Sequence, residues 1–396
     1  MRIALIVNAV TPKGGIARVV LNLARNLKAE GHEIQLFTMT YDSNFIKWYG
    51  IEEKEIICDR KLMSLNKMSR IPGLGFIIQL IKFQLWGFLL SRHLRNAQPD
   101  IINSHHYLCG ISGWILARII KRPHVVTLHG IHLSKEKVNR IYYWVDYLIL
   151  KFLRNHIFHF IAVDPGIKSY PPFAGISDRI EIIFPCVDGR YLELLQGDPP
   201  RAQNKEGHHL AYMGRLEKSK GLEELLMRLR EDVSCWSELK VIGSGSYEKK
   251  LIDLARKLNL SNRIFFEGFL EGKQKIQVMK NSDFFISYSR SEGFPLVILE
   301  FFALGKPCII YPVGGISYFK TRIQNEKLGI FLIPKPNFLK KILADPGIST
   351  WFSERVSDAR RKFVKDFYPE VITQKYIRFF EKTVRMRVLK EKIKII

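Results

Sequence analysis

What most constrains this chain is a recurring pattern of short, almost purely apolar runs bounded by turn residues. Ile3–Val7, Ile34–Thr38, Asp100–Asn103, His124–Leu128, Ile157–Val163 and Ile180–Phe184 form one series, and Leu210–Met213, Leu239–Ile242, Arg263–Phe266, Asp283–Ser287 and Cys308–Tyr311 a second. Short runs without polar alternation fit strands buried on both faces, which means a parallel sheet covered by helices. Helical patterns such as Ile16–Glu30, Gly221–Arg230 and Tyr247–Leu258 lie between them. Strands alternating with helices predict the α/β class, and two such series in 396 residues predict two doubly wound domains.

The boundary is expected within Cys186–His208, where Asp198-Pro199-Pro200 and the polar run Arg201–Gly207 carry neither a strand nor a helix period. This gives a first domain over 1–190, a linker over 191–207, a second domain over 208–369 and a closing segment over 370–396. In the last, Ile372, Tyr376, Phe379 and Phe380 recur at helical spacing, and the helix is expected to cross back to the first domain.

Charge narrows the choice of partners. The 62 Lys and Arg against 38 Asp and Glu leave a net +24, which favours polyanions or a membrane surface without specifying a fold. The five scattered cysteines form no Cys-x-x-Cys, which implies reduced thiols and a cytosolic chain. Ile3–Val7 runs into Asn8 and Thr11-Pro12-Lys13-Gly14-Gly15 without a cleavage pattern, so it reads as a strand rather than a signal peptide. The most apolar longer stretch, Ile71–Ser91, opens on Pro72, Gly73 and Gly75 and is interrupted by Gln79, Lys82 and Gln84, so no membrane-spanning helix is expected.

The chemistry concentrates in Tyr212–Gly315. A strand leads into Gly214-Arg215-Leu216-Glu217-Lys218-Ser219-Lys220-Gly221 and then a helix. Glycine allows close backbone approach, a helix N-terminus offers unpaired N–H groups, and Arg215 and Lys220 neutralise oxyanions, as a phosphate requires. A solvated basic turn is the plainer alternative. Gly243-Ser244-Gly245 after a strand lacks the third glycine of a dinucleotide fingerprint, since Glu248 stands there, and reads as a tight turn rather than an NAD site. In Ser291-Glu292-Gly293-Phe294-Pro295-Leu296-Val297-Ile298-Leu299-Glu300, Pro295 suits a first helical turn, placing Glu292 on the preceding loop and Glu300 inside the helix. Glu300 falls within an apolar run, where a carboxylate must find hydrogen-bond partners; a ribose diol is one such partner, a core salt bridge another.

Taken together, Gly214-Arg215-x4-Lys220-Gly221, the Gly243/Gly245 turn, Glu292-Gly-Phe-x5-Glu300, Gly305-Lys306-Pro307 and Gly314-Gly315 resemble, in order and spacing, the family-4 retaining glycosyltransferases. Gly14-Gly15-Ile16-Ala17-Arg18, His105-His106 and Thr127-Leu128-His129-Gly130 extend the resemblance into the first half. It implies the GT-B fold, two Rossmann-like domains facing across a cleft. It implies that Arg215 and Lys220 hold the diphosphate of a nucleotide-sugar, that Glu300 binds the ribose and that Glu292 holds the donor sugar near its C3 and C4 hydroxyls. The backbone around Gly293, Phe294, Pro295, Leu296 and Val297 would contact sugar and phosphate. Gly214 and Gly243 would line the site, Phe269 would lie near the base, Gly14 and Gly15 would admit donor and acceptor, and His129 would sit beside the sugar's C6 hydroxyl. Catalysis would then rest on Glu292, Arg215, Lys220 and His129. The family is metal-independent, and no Asp-x-Asp motif occurs here, so neither metal nor cofactor is expected. The chain departs from the family pattern at Pro185-Cys186-Val187-Asp188, at Asp164-Pro165 and at Ser244, positions that concern the acceptor and the hinge more than the donor.

From Arg60 to Ala97 there are seven basic residues and no acidic one, interleaved with Phe76, Phe83, Trp86 and Phe88; Arg140–His159 repeats the combination. Cations beside exposed apolar groups suit an anionic lipid surface, and a buried helix with basic ends suits the same residues. The basic tail through Lys394 offers a third contact. His129/His132 and His156/His159 have no cysteines or suitably spaced carboxylates for zinc. The expected function is transfer of a hexose or N-acetylhexosamine, from UDP rather than GDP, to a cell-surface glycan or lipid-linked acceptor, as in lipopolysaccharide or exopolysaccharide synthesis. The enzyme would be cytoplasmic, at the inner membrane face. The alternatives are a nucleotide-sugar epimerase of the same fold and a basic nucleic-acid-binding protein, for which no module pattern is present.

Overall fold

A computed structural model describes residues 1–12, 14–58, 75–130, 140–195, 207–231, 233–332 and 337–393. The chain divides into two compact units, Met1–Cys186 with Pro369–Ile396, and Val187–Tyr368.

The first unit contains β1 (Arg2–Ile6), β2 (Ala9–Val10), β3 (Glu33–Thr38), β4 (Thr40–Tyr41), β5 (Ile56–Cys58), β6 (Ile101–His105), β7 (His124–Leu128), β8 (His159–Ala162) and β9 (Ile180–Ile182). Seven of them form one sheet in the order β5-β3-β1-β6-β7-β8-β9, and β2 pairs separately with β4. Every ladder in the seven-stranded sheet is parallel. The apolar runs are buried as their composition predicts: β6 is buried along its whole length, and Leu5, Ile6, Val125 and Val126 have no exposed surface. The helix Gly15–Ala29 follows β1 and turns Val20, Leu21, Ala24 and Leu27 inward.

The second unit contains β10 (His208–Met213), β11 (Trp236–Ile242), β12 (Ile264–Gly268), β13 (Phe284–Ser287), β14 (Cys308–Ile310) and β15 (Gly329–Phe331), ordered β12-β11-β10-β13-β14-β15 and parallel throughout. Its far edge is held by Arg360, a fully buried guanidinium that donates to the carbonyls of Leu328, Gly305, Trp351 and Lys327. Burial pushes its pKa down to about 9, and the ring of carbonyls is what makes a buried cation tolerable there.

The last helix, Pro369–Ile393, belongs to the first unit. Ile372, Tyr376 and Phe380 enter the core that holds Leu5, Val20 and Leu36. Nδ1 of His159 lies 2.8 Å from Oγ1 of Thr383, and Gln374 bonds Glu30 at 2.9 Å. The stretch read from sequence as a linker begins with a helix, Gly189–Leu195, that lies in the second unit. Tyr191 is buried, and its hydroxyl accepts from the Gly272 N–H at 3.3 Å. The rest of that stretch, 196–206, lies outside the described residues.

Candidate active site

In an open parallel sheet, ligands collect where the chain winds outward in both directions, at the carboxyl ends of the two diverging strands. In the second unit that point lies between β10, which continues to β11 on one side, and β13, which pairs on the other. The loop after β10 carries Gly214–Gly221 and the loop after β13 carries Tyr288–Pro295. Across this point Lys220 and Glu292 meet, Nζ to Oε1 at 2.7 Å, with side chains 12% and 24% exposed. The pair joins the two elements that the sequence reading singled out separately.

Backbone contacts fix these loops. Gly243, at the end of β11, has φ 137°, and a Cβ there would stand 1.9 Å from the Gly214 carbonyl oxygen. The Gly214 N–H donates to the Ile242 carbonyl at 3.0 Å and the Leu216 N–H to the Ser244 carbonyl at 3.1 Å, so the glycine turn holds the Arg215–Lys220 loop from beneath. Gly314 has φ 62°, and its Cβ would approach the Glu292 carbonyl to 2.2 Å; the Gly315 N–H donates to the Gly293 carbonyl at 2.7 Å. Only glycine permits either crossing.

Pro295 caps the helix Leu296–Ala303, one residue earlier than the first helical turn expected from sequence. Ile298, Leu299, Phe301 and Phe302 bury the helix, and Glu300 is buried with them. Its partner was not foreseen. Nζ of Lys275, on the helix Gly272–Asn281, stands 2.5 Å from Oε2 of Glu300, and Lys275 is itself only 8% exposed. The ammonium also lies 5.2 Å from the centroid of the Tyr191 ring. A hint lay in the sequence: Lys275 precedes Met279 by four positions on a short amphipathic helix, so the two share its inward side.

The remaining donor-side candidates follow the carboxyl ends of β10, β12 and β13. Arg215 is the more open cation, its side chain 55% exposed and bonded to Glu217 at 2.8 Å. Phe269, just past β12, is exposed; Gly293, Phe294, Pro295, Leu296 and Val297 are half-buried, and the Phe294 ring lies 5.5 Å from that of Phe367. The Tyr212 hydroxyl donates to the Arg215 carbonyl at 3.2 Å, and burial followed by the nearby Glu292 charge raises its pKa, so it stays a phenol.

In the first unit the corresponding strand ends are those of β1 and β6. Gly14 caps the helix after β1, and a Cβ at Gly15 would meet nothing within 4 Å, leaving room beside that helix start. His105 ends β6 and His129 follows β7; Nδ1 of His105 lies 2.9 Å from Nε2 of His129. Burial holds both rings neutral, pushing His129 down to about 3 and His105 well below its ordinary value. One proton is then shared along the contact. Among the described residues Nε2 of His105 is buried without a partner, and a bare acceptor there costs less than a stranded N–H. The arrangement therefore favours His105 donating from Nδ1, which leaves His129 with its own Nδ1–H as a donor. Among the described residues no group of three His, Cys, Asp or Glu side chains could hold a metal ion, and His132 lies outside them.

Residues 13–190 match the family model for Glycosyltransferase Family 4, and residues 198–337 that for glycosyl transferases group 1. The chain belongs to glycosyltransferase family 4. Over 393 residues this glycosyltransferase is 22% identical to an uncharacterized glycosyltransferase of Methanocaldococcus jannaschii, covering 93% of the chain and 94% of the relative. It is 24% identical to the alpha-monoglucosyldiacylglycerol synthase of Streptococcus pneumoniae, covering 94% of the chain and 86% of that enzyme. Among solved structures it resembles Anabaena HepE in complex with UDP and glucose, with a TM-score of 0.74 at 18% identity over 96% of this chain and all of that one. Its two Rossmann-like parallel sheets are those of the GT-B fold.

Proposed function

We propose that this glycosyltransferase moves a hexose or N-acetylhexosamine, with retention at the anomeric carbon, from UDP to a lipid-linked or cell-surface glycan acceptor, as in lipopolysaccharide or exopolysaccharide assembly. The observation that carries the donor reading is the Lys220–Glu292 pair at the switch point of the second sheet. Departure of the nucleoside diphosphate adds negative charge to the phosphates while positive charge grows on the sugar. A fixed ammonium at Lys220, the guanidinium of Arg215 and the N–H groups that open the Leu296–Ala303 helix stabilise that separation more than the ground state. Glu292, released from Lys220, accepts from the donor sugar's hydroxyls, and Glu300 accepts from the ribose diol. In the first unit, His129 is the candidate donor to a sugar hydroxyl through the Nδ1–H that His105 leaves it. The departing phosphate takes the acceptor proton, and no metal or cofactor takes part. The complex of HepE with UDP and glucose supports UDP as the carrier.

A membrane-bound acceptor is supported by the first unit's surface. Ile81, Leu85 and Phe88 recur at helical spacing on the helix Gly75–Ala97 and are 46%, 44% and 57% exposed. On the helix Arg140–His156, Trp144 and Leu148 are exposed in line with Lys151. Apolar rings beside cations suit the headgroup region of an anionic bilayer at the cytoplasmic face. Among the described residues no helix is long and apolar enough to cross a membrane, and Lys82 turns inward rather than to this surface. The name of the Streptococcus pneumoniae relative is that of a glycolipid synthase.

The donor reading is tested by thermal shift against UDP, GDP and ADP, followed by calorimetry on Glu300→Ala. UDP should raise the melting temperature most, by mass action on the folded state. Unchanged UDP affinity in Glu300→Ala would remove Glu300 from the ribose.

A further inference from the structure

Resting on the assignment of Glu300 to the donor ribose, we infer that Lys275 is the positioning residue that gives this enzyme its preference for a ribonucleotide over a deoxyribonucleotide carrier. A carboxylate set among Ile298, Leu299, Phe301 and Phe302 has lost most of its water. Buried there, it needs a partner of opposite charge to hold it in place. The ammonium of Lys275, 2.5 Å from Oε2 and buried alongside it, is that partner. It also occupies one oxygen and so fixes the plane of the other. No further side chain bonds Glu300 among the described residues, so its second oxygen is left for a ligand.

Lys275 is held in its turn. Its ammonium lies 5.2 Å from the Tyr191 ring centroid, and the Tyr191 hydroxyl accepts from the Gly272 N–H, where the helix bearing Lys275 begins. Three elements thus converge on one carboxylate: the helices Gly189–Leu195, Gly272–Asn281 and Leu296–Ala303. Lys220 and Arg215 stand on a different loop, and Lys275 reaches Glu300 rather than the N–H groups that open its helix, so the device acts on the nucleoside through that carboxylate.

The test compares UDP with 2′,3′-dideoxy-UDP by calorimetry on the full-length protein. Hydrogen bonds to a charged acceptor should give the wild type about a tenfold to hundredfold preference for UDP. Lys275→Met keeps the aliphatic stem and removes the charge. It should cut that preference to about threefold or less while leaving affinity for the dideoxy compound within about twofold, because the phosphate contacts are untouched. Should Lys275→Met fail to fold with its stranded carboxylate, Lys275→Gln keeps a hydrogen-bond donor and should show the same loss of preference. A wild-type preference in either variant would overturn the inference, and so would an equal loss of affinity for both compounds. Glu300→Ala separates the two levels: if it keeps the preference, the ribose assignment itself falls; if it loses the preference and Lys275→Met does not, only the role of Lys275 falls.

Discussion

Replacing Glu292 by Gln should tighten binding of the product nucleotide while slowing the reaction. At 2.7 Å the Lys220–Glu292 attraction is about 6 kcal/mol at an effective dielectric of roughly 20. Desolvating the two partly buried groups and freezing their side chains offsets most of this, leaving ~1–2 kcal/mol. A diphosphate that recruits Lys220 has to overcome that remainder. Glu292→Gln removes the competing charge, so UDP should bind about 5–30-fold more tightly. Turnover of a UDP-sugar should fall by about 10²-fold, because a charged contact to the reacting sugar is lost. Lys220→Ala should weaken both, with turnover down by roughly 10²–10³. Calorimetry with UDP and steady-state rates on the same preparations provide the comparison. If Glu292→Gln binds UDP no better than the wild type, the carboxylate does not compete for the ammonium, and the exchange of partners on donor binding is refuted.

Other expectations follow from the same geometry. Gly243→Ala, with a Cβ 1.9 Å from the Gly214 oxygen at a φ of 137°, should destabilise the second unit by about 3 kcal/mol or more and abolish UDP binding, as read by chemical denaturation and calorimetry. Because burial holds His105 neutral well below its ordinary pKa, unfolding takes up a proton there once the pH drops below about 6.5. Its contribution is therefore complete above that pH and is lost as the pH falls, by about 1.4 kcal/mol per unit; stability curves at pH 7.5 and pH 5 should be flatter in His105→Asn than in the wild type. Phe88→Glu and Trp144→Glu should each lower flotation on anionic liposomes by about tenfold, and wild-type flotation in both would remove the membrane-facing assignment.

Much of this was legible in the sequence, for a definite reason. Parallel strands covered on both faces leave continuous apolar runs, so most strands of both sheets stand out, the short edge Ile180–Ile182 among them, while the edges Ile56–Cys58 and Gly329–Phe331 were not singled out. Glu292, Lys220 and Glu300 could be picked out because charge beside glycine, or within an apolar helix, is locally conspicuous. Lys275 was less conspicuous: its spacing to Met279 puts it on the inward side of its helix, but its partner comes from a different helix. The His105–His129 contact was hidden in the same way. It depends on β6 and β7 lying side by side with His105 opposite Thr127, a register that no single segment encodes. Tyr191 was missed because the proline-rich polar stretch beyond it pulled the boundary of the linker too far toward the N-terminus.

The chain passes from the first unit into the second at Cys186–Val187 and returns at Tyr368–Pro369, and the Val187 N–H donates to the Phe367 carbonyl at 3.0 Å. The nucleotide half is thus an interruption within the other half. During translation its last residue leaves the ribosome before Ile372, Tyr376 and Phe380, which the earlier half needs to close its core. A premature stop shortly after Tyr368 would consequently injure the portion made first, and spare the portion made second.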